Sequence, residues 1–114
     1  MKAVPVTRGF AAEYRHDGVA FYFFKLRSDG EIAVWFQYLG NKKPFSEPAL
    51  REEIRRRLCE VPGVDIAADR ISGKPRFALS LLSTPAAMRQ FKDTWTWALE
   101  QIRSMREGPD DALS

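Results

Sequence analysis

The feature that most constrains this chain is a pair of Asp-Gly turns, His16-Asp17-Gly18 and Ser28-Asp29-Gly30, on either side of the aromatic run VAFYFFKLR. Each ends in a glycine that suits the left-handed position of a three-residue hairpin loop. Two such reversals in close succession make a three-stranded antiparallel meander, with strands expected near 10–15, 19–27 and 31–39. Loop length then fixes register.

A loop at 28–30 places Arg27 opposite Glu31, Leu26 opposite Ile32, Phe24 opposite Val34, Phe23 opposite Trp35 and Tyr22 opposite Phe36. One face then carries Ala20, Tyr22, Phe24, Leu26, Ile32, Val34, Phe36 and Tyr38, joined by Phe10, Ala12 and Tyr14 from the first strand. This is the expected core face. The other carries Phe21, Phe23, Ala33 and Trp35 among Glu13, Arg15, Lys25, Arg27, Glu31 and Gln37. Three aromatics there would make a patch of about 500 Å², near the upper end of what a monomer exposes. Either the chain covers this second face with a helix, the N-terminal arm or the 64–75 connection, or a partner covers it.

The second half supplies the helices. Ser46 reads as an N-cap, Pro48 as a first-turn residue, Leu50, Ile54 and Leu58 as an apolar line, and Pro62-Gly63 as a stop. Residues 64–75 read as a connection, "RFALSLL" as a fourth strand, and "STPAAMRQFKDTWTWALEQIRSMR" as a long helix with Met88, Phe91, Trp95, Ala98, Ile102 and Met105 on one stripe. The expected fold is α+β and two-layered: a three-stranded meander, a helix, a fourth strand and a long C-terminal helix. Residues 1–106 form a single domain and 107–114 a disordered tail.

The balance of 18 basic against 15 acidic residues gives a mixed surface with a net charge of +3, so charge alone selects no partner. A single cysteine, Cys59, excludes an intramolecular disulfide and fits a reducing compartment. No apolar run approaches the roughly 20 residues of a membrane span, so a soluble, cytoplasmic protein with no membrane partner is expected.

Chemistry-bearing motifs are sparse. His16 is the only histidine, which rules out a His-based metal cluster, and Cys59 has neither a second cysteine nor a nearby histidine to mark it as a nucleophile. "SGKP" at 72–75 fails the phosphate-loop pattern at both ends, with Ala68 five residues before Gly73 and a proline after Lys74. Asp65 and Asp69 have no ligand set around them. No catalytic residue, cofactor site or metal site is assigned, and the chain is read as not an enzyme. The arginines of "REEIRRRL" are offset by Glu52 and Glu53, each four residues before an arginine.

What remains is binding. The expected function is a non-catalytic interaction module that uses Phe21, Phe23, Trp35 and the outward Trp97 for self-association as a homodimer or for a protein partner. The alternative is a nucleic-acid-binding domain, with the same sheet aromatics stacking on bases while Arg15, Lys25 and Arg27 approach phosphates and Arg51 and Arg55 add charge from the helix.

The landmarks "RLCEVPGVDI" and "LSLLSTP" and the tryptophan-bearing final helix give residues 54–103 a further meaning. This stretch resembles a poorly characterised bacterial domain found in the C-terminal parts of some nuclease-like or defence-associated proteins. The resemblance implies an accessory module in a DNA-related or defence system and brings no catalytic residue with it.

Overall fold

The computed structural model describes residues 1–104 with their side chains and the backbone of 105–113. The tail expected at 107–114 lies outside the fully described residues. A five-stranded antiparallel sheet runs in sequence order: β1 (Lys2–Val6), β2 (Gly9–His16), β3 (Val19–Arg27), β4 (Glu31–Val34) and β5 (Arg76–Ala78). Between β4 and β5 come a short helix α1 (Phe36–Leu39) and the amphipathic α2 (Pro48–Leu58); the long α3 (Pro85–Leu113) closes the chain. The two-layer α+β architecture, with its antiparallel meander and long C-terminal helix, is as expected from the sequence.

The second hairpin follows the expected register. Phe24 pairs with Val34 and Leu26 with Ile32, and Gly30 adopts φ of 88° at the end of the 28–30 loop. The first hairpin does not. His16 pairs with Val19, so the loop is only Asp17-Gly18, and both residues take the positive φ, 52° and 80°, that a tight two-residue hairpin turn requires. This shortening moves Phe21 opposite Tyr14 and Tyr22 opposite Glu13.

A second irregularity then restores the original phase. Between the pairs Glu13 with Tyr22 and Ala11 with Lys25, β2 has one residue, Ala12, and β3 has two, Phe23 and Phe24. This is a β-bulge, and it reverses the in-and-out alternation at that point. Phe21 and Phe23 before the bulge, and Phe24 after it, are therefore all buried in the core. The three phenylalanines of the run serve one face, and the expectation that Phe21 and Phe23 lie opposite Phe24 is corrected.

Two other differences have local causes. Residues 2–6, read as an arm, form an edge strand, where Pro5 costs no ladder bond that a central strand would need. The strand expected over 31–39 ends at Val34, because Phe36 and Leu39, both fully buried, turn into the core on α1. Likewise "RFALSLL" is a three-residue strand followed by a 3-10 turn, Leu79–Leu82.

Both long helices lie on one side of the sheet. Phe91 and Trp95 of α3 meet Phe24 at ring-centroid distances of 5.1 and 5.3 Å, and Trp95 meets Phe23 at 5.3 Å. Ile54 and Leu58 of α2 complete this core with Ala98 and Ile102 of α3. Thr84 caps α3 by accepting the Ala87 N–H at 3.1 Å, as the Ser/Thr-Pro start suggests. The first long helix is capped differently from expectation, with Glu47 rather than Ser46 at its N-cap.

Candidate functional site

The sheet face away from the helices is built by the residues that alternate with the core set. Cross-strand pairing places Lys2, Glu13 and Tyr22 in one row, and Ala11, Lys25, Ala33 and Arg76, in that order, in another. Directly opposed residues share a face, so these side chains all point away from the core. Trp35 follows at the end of β4, its N–H bonded to the Phe23 carbonyl at 2.9 Å.

Three aromatic rings gather there. Tyr22 lies 6.3 Å from Trp35 and 5.6 Å from Tyr38, and Trp35 lies 6.4 Å from Tyr38, all in tilted or edge-on arrangements. All three are only half-buried. Tyr38 is fixed by its hydroxyl, which donates to the Ala20 carbonyl at 2.9 Å. Tyr22 donates to the Glu13 carboxylate at 2.9 Å, and Arg15 approaches the same carboxylate at 3.5 Å. Glu13 is 5% exposed, so this acid is a buried support beneath the rings and not a free charge.

The electrostatics keep the rings neutral. The hydrogen bond to Glu13 raises the Tyr22 pKa above the ordinary tyrosine value, with burial and the charge of Glu13 adding to the effect. Burial raises that of Tyr38, and Tyr22 and Glu13 push the same way. The surroundings are cationic. Lys2, Arg15, Lys25, Arg27, Lys74 and Arg76 frame the aromatic group, while the acids beside them are Glu13, Glu31 and Asp29, the last paired with Arg27 at 2.8 Å. Lys74 holds its ammonium 5.9 Å from the Trp35 ring centroid, within cation–π range. Glu31 is committed to Arg76 at 3.5 Å. Beyond β5 the face runs into a polar recess of about 620 Å³ bordered by Asp65, Asp69, Arg70, Lys74 and Arg76.

The structure thus brings Trp35, Arg15, Lys25 and Arg27 onto one face, as the sequence predicts, but with different aromatic companions. Tyr22 and Tyr38, expected in the core, stand in the places given to Phe21 and Phe23. The shortened turn brings Tyr22 to this face, the bulge after it has no sequence marker beyond the unbroken Phe23-Phe24 pair, and Tyr38 arrives on α1 where a strand was expected.

The helix arginines belong elsewhere. Arg51 is 7% exposed and spends its guanidinium on the carbonyls of Phe45 and Ile71 and the hydroxyl of Ser72, tying two loop segments to α2. Arg55 bonds Glu52 and the Ile66 carbonyl. Neither is free to meet phosphate, which corrects their inclusion among nucleic-acid-binding candidates. Arg56 and Arg57 both pair with Glu53, so Glu52 reaches back to Arg55 three residues on, not to Arg56. Trp97 is half-buried with the Arg57 guanidinium 4.8 Å from its ring centroid, at the junction of α2 and α3 and on the other side of the molecule from Trp35.

The remaining chemistry-bearing residues stay dispersed. His16 lies beside Asp17 at 3.6 Å, and the Cys59 thiol points at the Ile66 carbonyl. Among the described residues no group of three His, Cys, Asp or Glu side chains could hold a metal ion, and no helix is long and apolar enough to cross a membrane. No family model, curated protein or solved structure matches the chain.

Proposed function

We propose that the protein is a non-catalytic interaction module whose working surface is the open sheet face centred on Trp35. One observation carries this reading: the shortened turn and the bulge at Phe23 and Phe24 together send Phe21, Phe23 and Phe24 into the core, yet Tyr22, Trp35 and Tyr38 gather on the opposite face as a supported, contiguous and only partly buried group. An aromatic centre with a charged rim is the composition of a binding surface. The accessory role in a DNA-related or defence system is part of this proposal and rests on the resemblance of residues 54–103.

A photo-crosslinking amino acid placed at position 35 in the protein's own cells tests the surface. Discrete adducts are expected from position 35 and not from the exposed Asp93 of α3. Equal yields from both, or none from position 35, would overturn the reading.

Self-association is a second reading, and different residues favour it. Phe10 and Met1 are each 50% exposed beside β1, the five-residue strand at the edge of the sheet, which offers a second copy unpaired backbone groups and apolar contact. Sedimentation equilibrium over a range of concentrations tests it: dimerisation weakened by Phe10→Ser supports the edge, and a monomer throughout removes it.

A further inference from the structure

We infer that the occupant of the open face is single-stranded nucleic acid, with bases stacked on Trp35 and its tyrosine neighbours and phosphates held by the unpaired Lys25 and Lys74. The inference rests on the open face being the working surface and adds the chemical class of its ligand.

Charge is the first reason. Lys2, Lys25 and Lys74 form no ion pair among the described residues, whereas the acids Glu13, Glu31 and Asp29 are already engaged by Tyr22 and Arg15, by Arg76 and by Arg27. These three lysines leave unmatched positive charge beside the aromatics. Two copies meeting through this face would set these lysines against each other, which costs energy, while a polyanion would neutralise them and release counterions.

Ring chemistry is the second. The three rings are tilted or edge-on to one another, so they do not consume their own π-faces by mutual stacking. A cation already lies over Trp35, and a base can take that position when Lys74 moves to an adjacent phosphate. Both tyrosines are held protonated by raised pKa values, so no phenolate develops on this face to oppose a phosphate at neutral or mildly alkaline pH. Duplex hides its base faces inside the stack and offers only its backbone. A stacking platform consequently favours a single strand.

A strand lying across Trp35 would meet the unpaired Lys25 and Lys74 beside the rings.

Fluorescence anisotropy with labelled oligothymidylate and oligouridylate of about a dozen nucleotides, on the full chain, tests the inference. Expected are binding to single strands in preference to duplex, affinity that falls steeply with salt, and roughly ten- to hundredfold weakening by Trp35→Ala. Lys25→Ala should flatten the logarithmic salt slope by about 0.7. No binding at low salt, equal affinity for duplex, indifference to Trp35→Ala, or polyglutamate binding as tightly as the oligonucleotides would each overturn it. The adducts from position 35 separate the two levels of failure. Adducts that resist nuclease and yield to protease would leave the surface standing and remove the nucleic acid, whereas no adducts would remove the surface itself.

Discussion

Replacing Phe23 and Trp35, one at a time, by alanine contrasts two residues that are bonded through backbone in adjacent strands but face opposite ways. Phe23 is fully buried, with ring contacts to Phe45 at 5.8 Å and Trp95 at 5.3 Å. Phe23→Ala removes its transfer free energy and leaves a cavity between sheet and helix, a loss of about 3–5 kcal/mol. A domain of this length has a total stability of roughly 6–17 kcal/mol. Trp35 loses ring contacts with Tyr22 and Tyr38 but opens no enclosed cavity, so Trp35→Ala should cost only about 1–2 kcal/mol. At roughly 3–6 °C per kcal/mol, Tm falls by about 9–30 °C for the first and by less than about 12 °C for the second. Urea titrations followed by circular dichroism measure both, with an unchanged slope confirming that the denatured state is not what moved. Equal losses for the two variants, or a larger one for Trp35→Ala, would refute the assignment of the two faces.

Two further outcomes follow from other parts of the fold. A Cβ on Gly9 would lie 2.1 Å from the Leu26 carbonyl oxygen, so Gly9→Ala should push β2 from β3 and lower the urea midpoint, whereas Gly18→Ala, with nothing within 4 Å of its Cβ but a φ of 80°, should show only the smaller cost of a strained turn. Hydrogen bonds from Arg55 and Arg56 hold the Glu52 and Glu53 pKa values below their ordinary 4.5, so these acids contribute stability that is fully present above about pH 4.5 and lost as pH falls through the depressed folded values; the Glu52→Gln, Glu53→Gln double variant should flatten the acid limb of a Tm-versus-pH curve, by a small amount because solvent screens these pairs.

How far the sequence carries depends on what each signal encodes. The 28–30 loop and the Phe24–Val34 pairing are legible because Ser-Asp-Gly carries its own conformational requirement and register follows from it. The long helix is legible through its period and its Thr84-Pro85 start. His16-Asp17-Gly18 reads as a three-residue loop by analogy, but Asp17 tolerates the left-handed region and lets a two-residue turn form. That slip alone would exchange the faces of β3 along its whole length. The bulge compensates, and it answers to packing against Phe91 and Trp95, which local propensity does not contain. The positions of Trp35 and its cations survive both irregularities because β4 pairs with the far half of β3, beyond the bulge. Arg51 and Arg55 failed as site residues for a comparable reason: a spacing pattern does not show which loop carbonyls will surround an arginine.

Hydroxyl-radical footprinting of the free protein, read residue by residue by mass spectrometry, tests the separation of the two faces most directly. Tyr22, Trp35 and Tyr38 should be oxidised rapidly, while Phe21, Phe23, Phe24 and Trp95 are protected to the same degree as one another. Rapid oxidation of Phe21 and Phe23 together with protection of Tyr22 and Tyr38 would contradict the bulge, the open aromatic face and every function assigned to it.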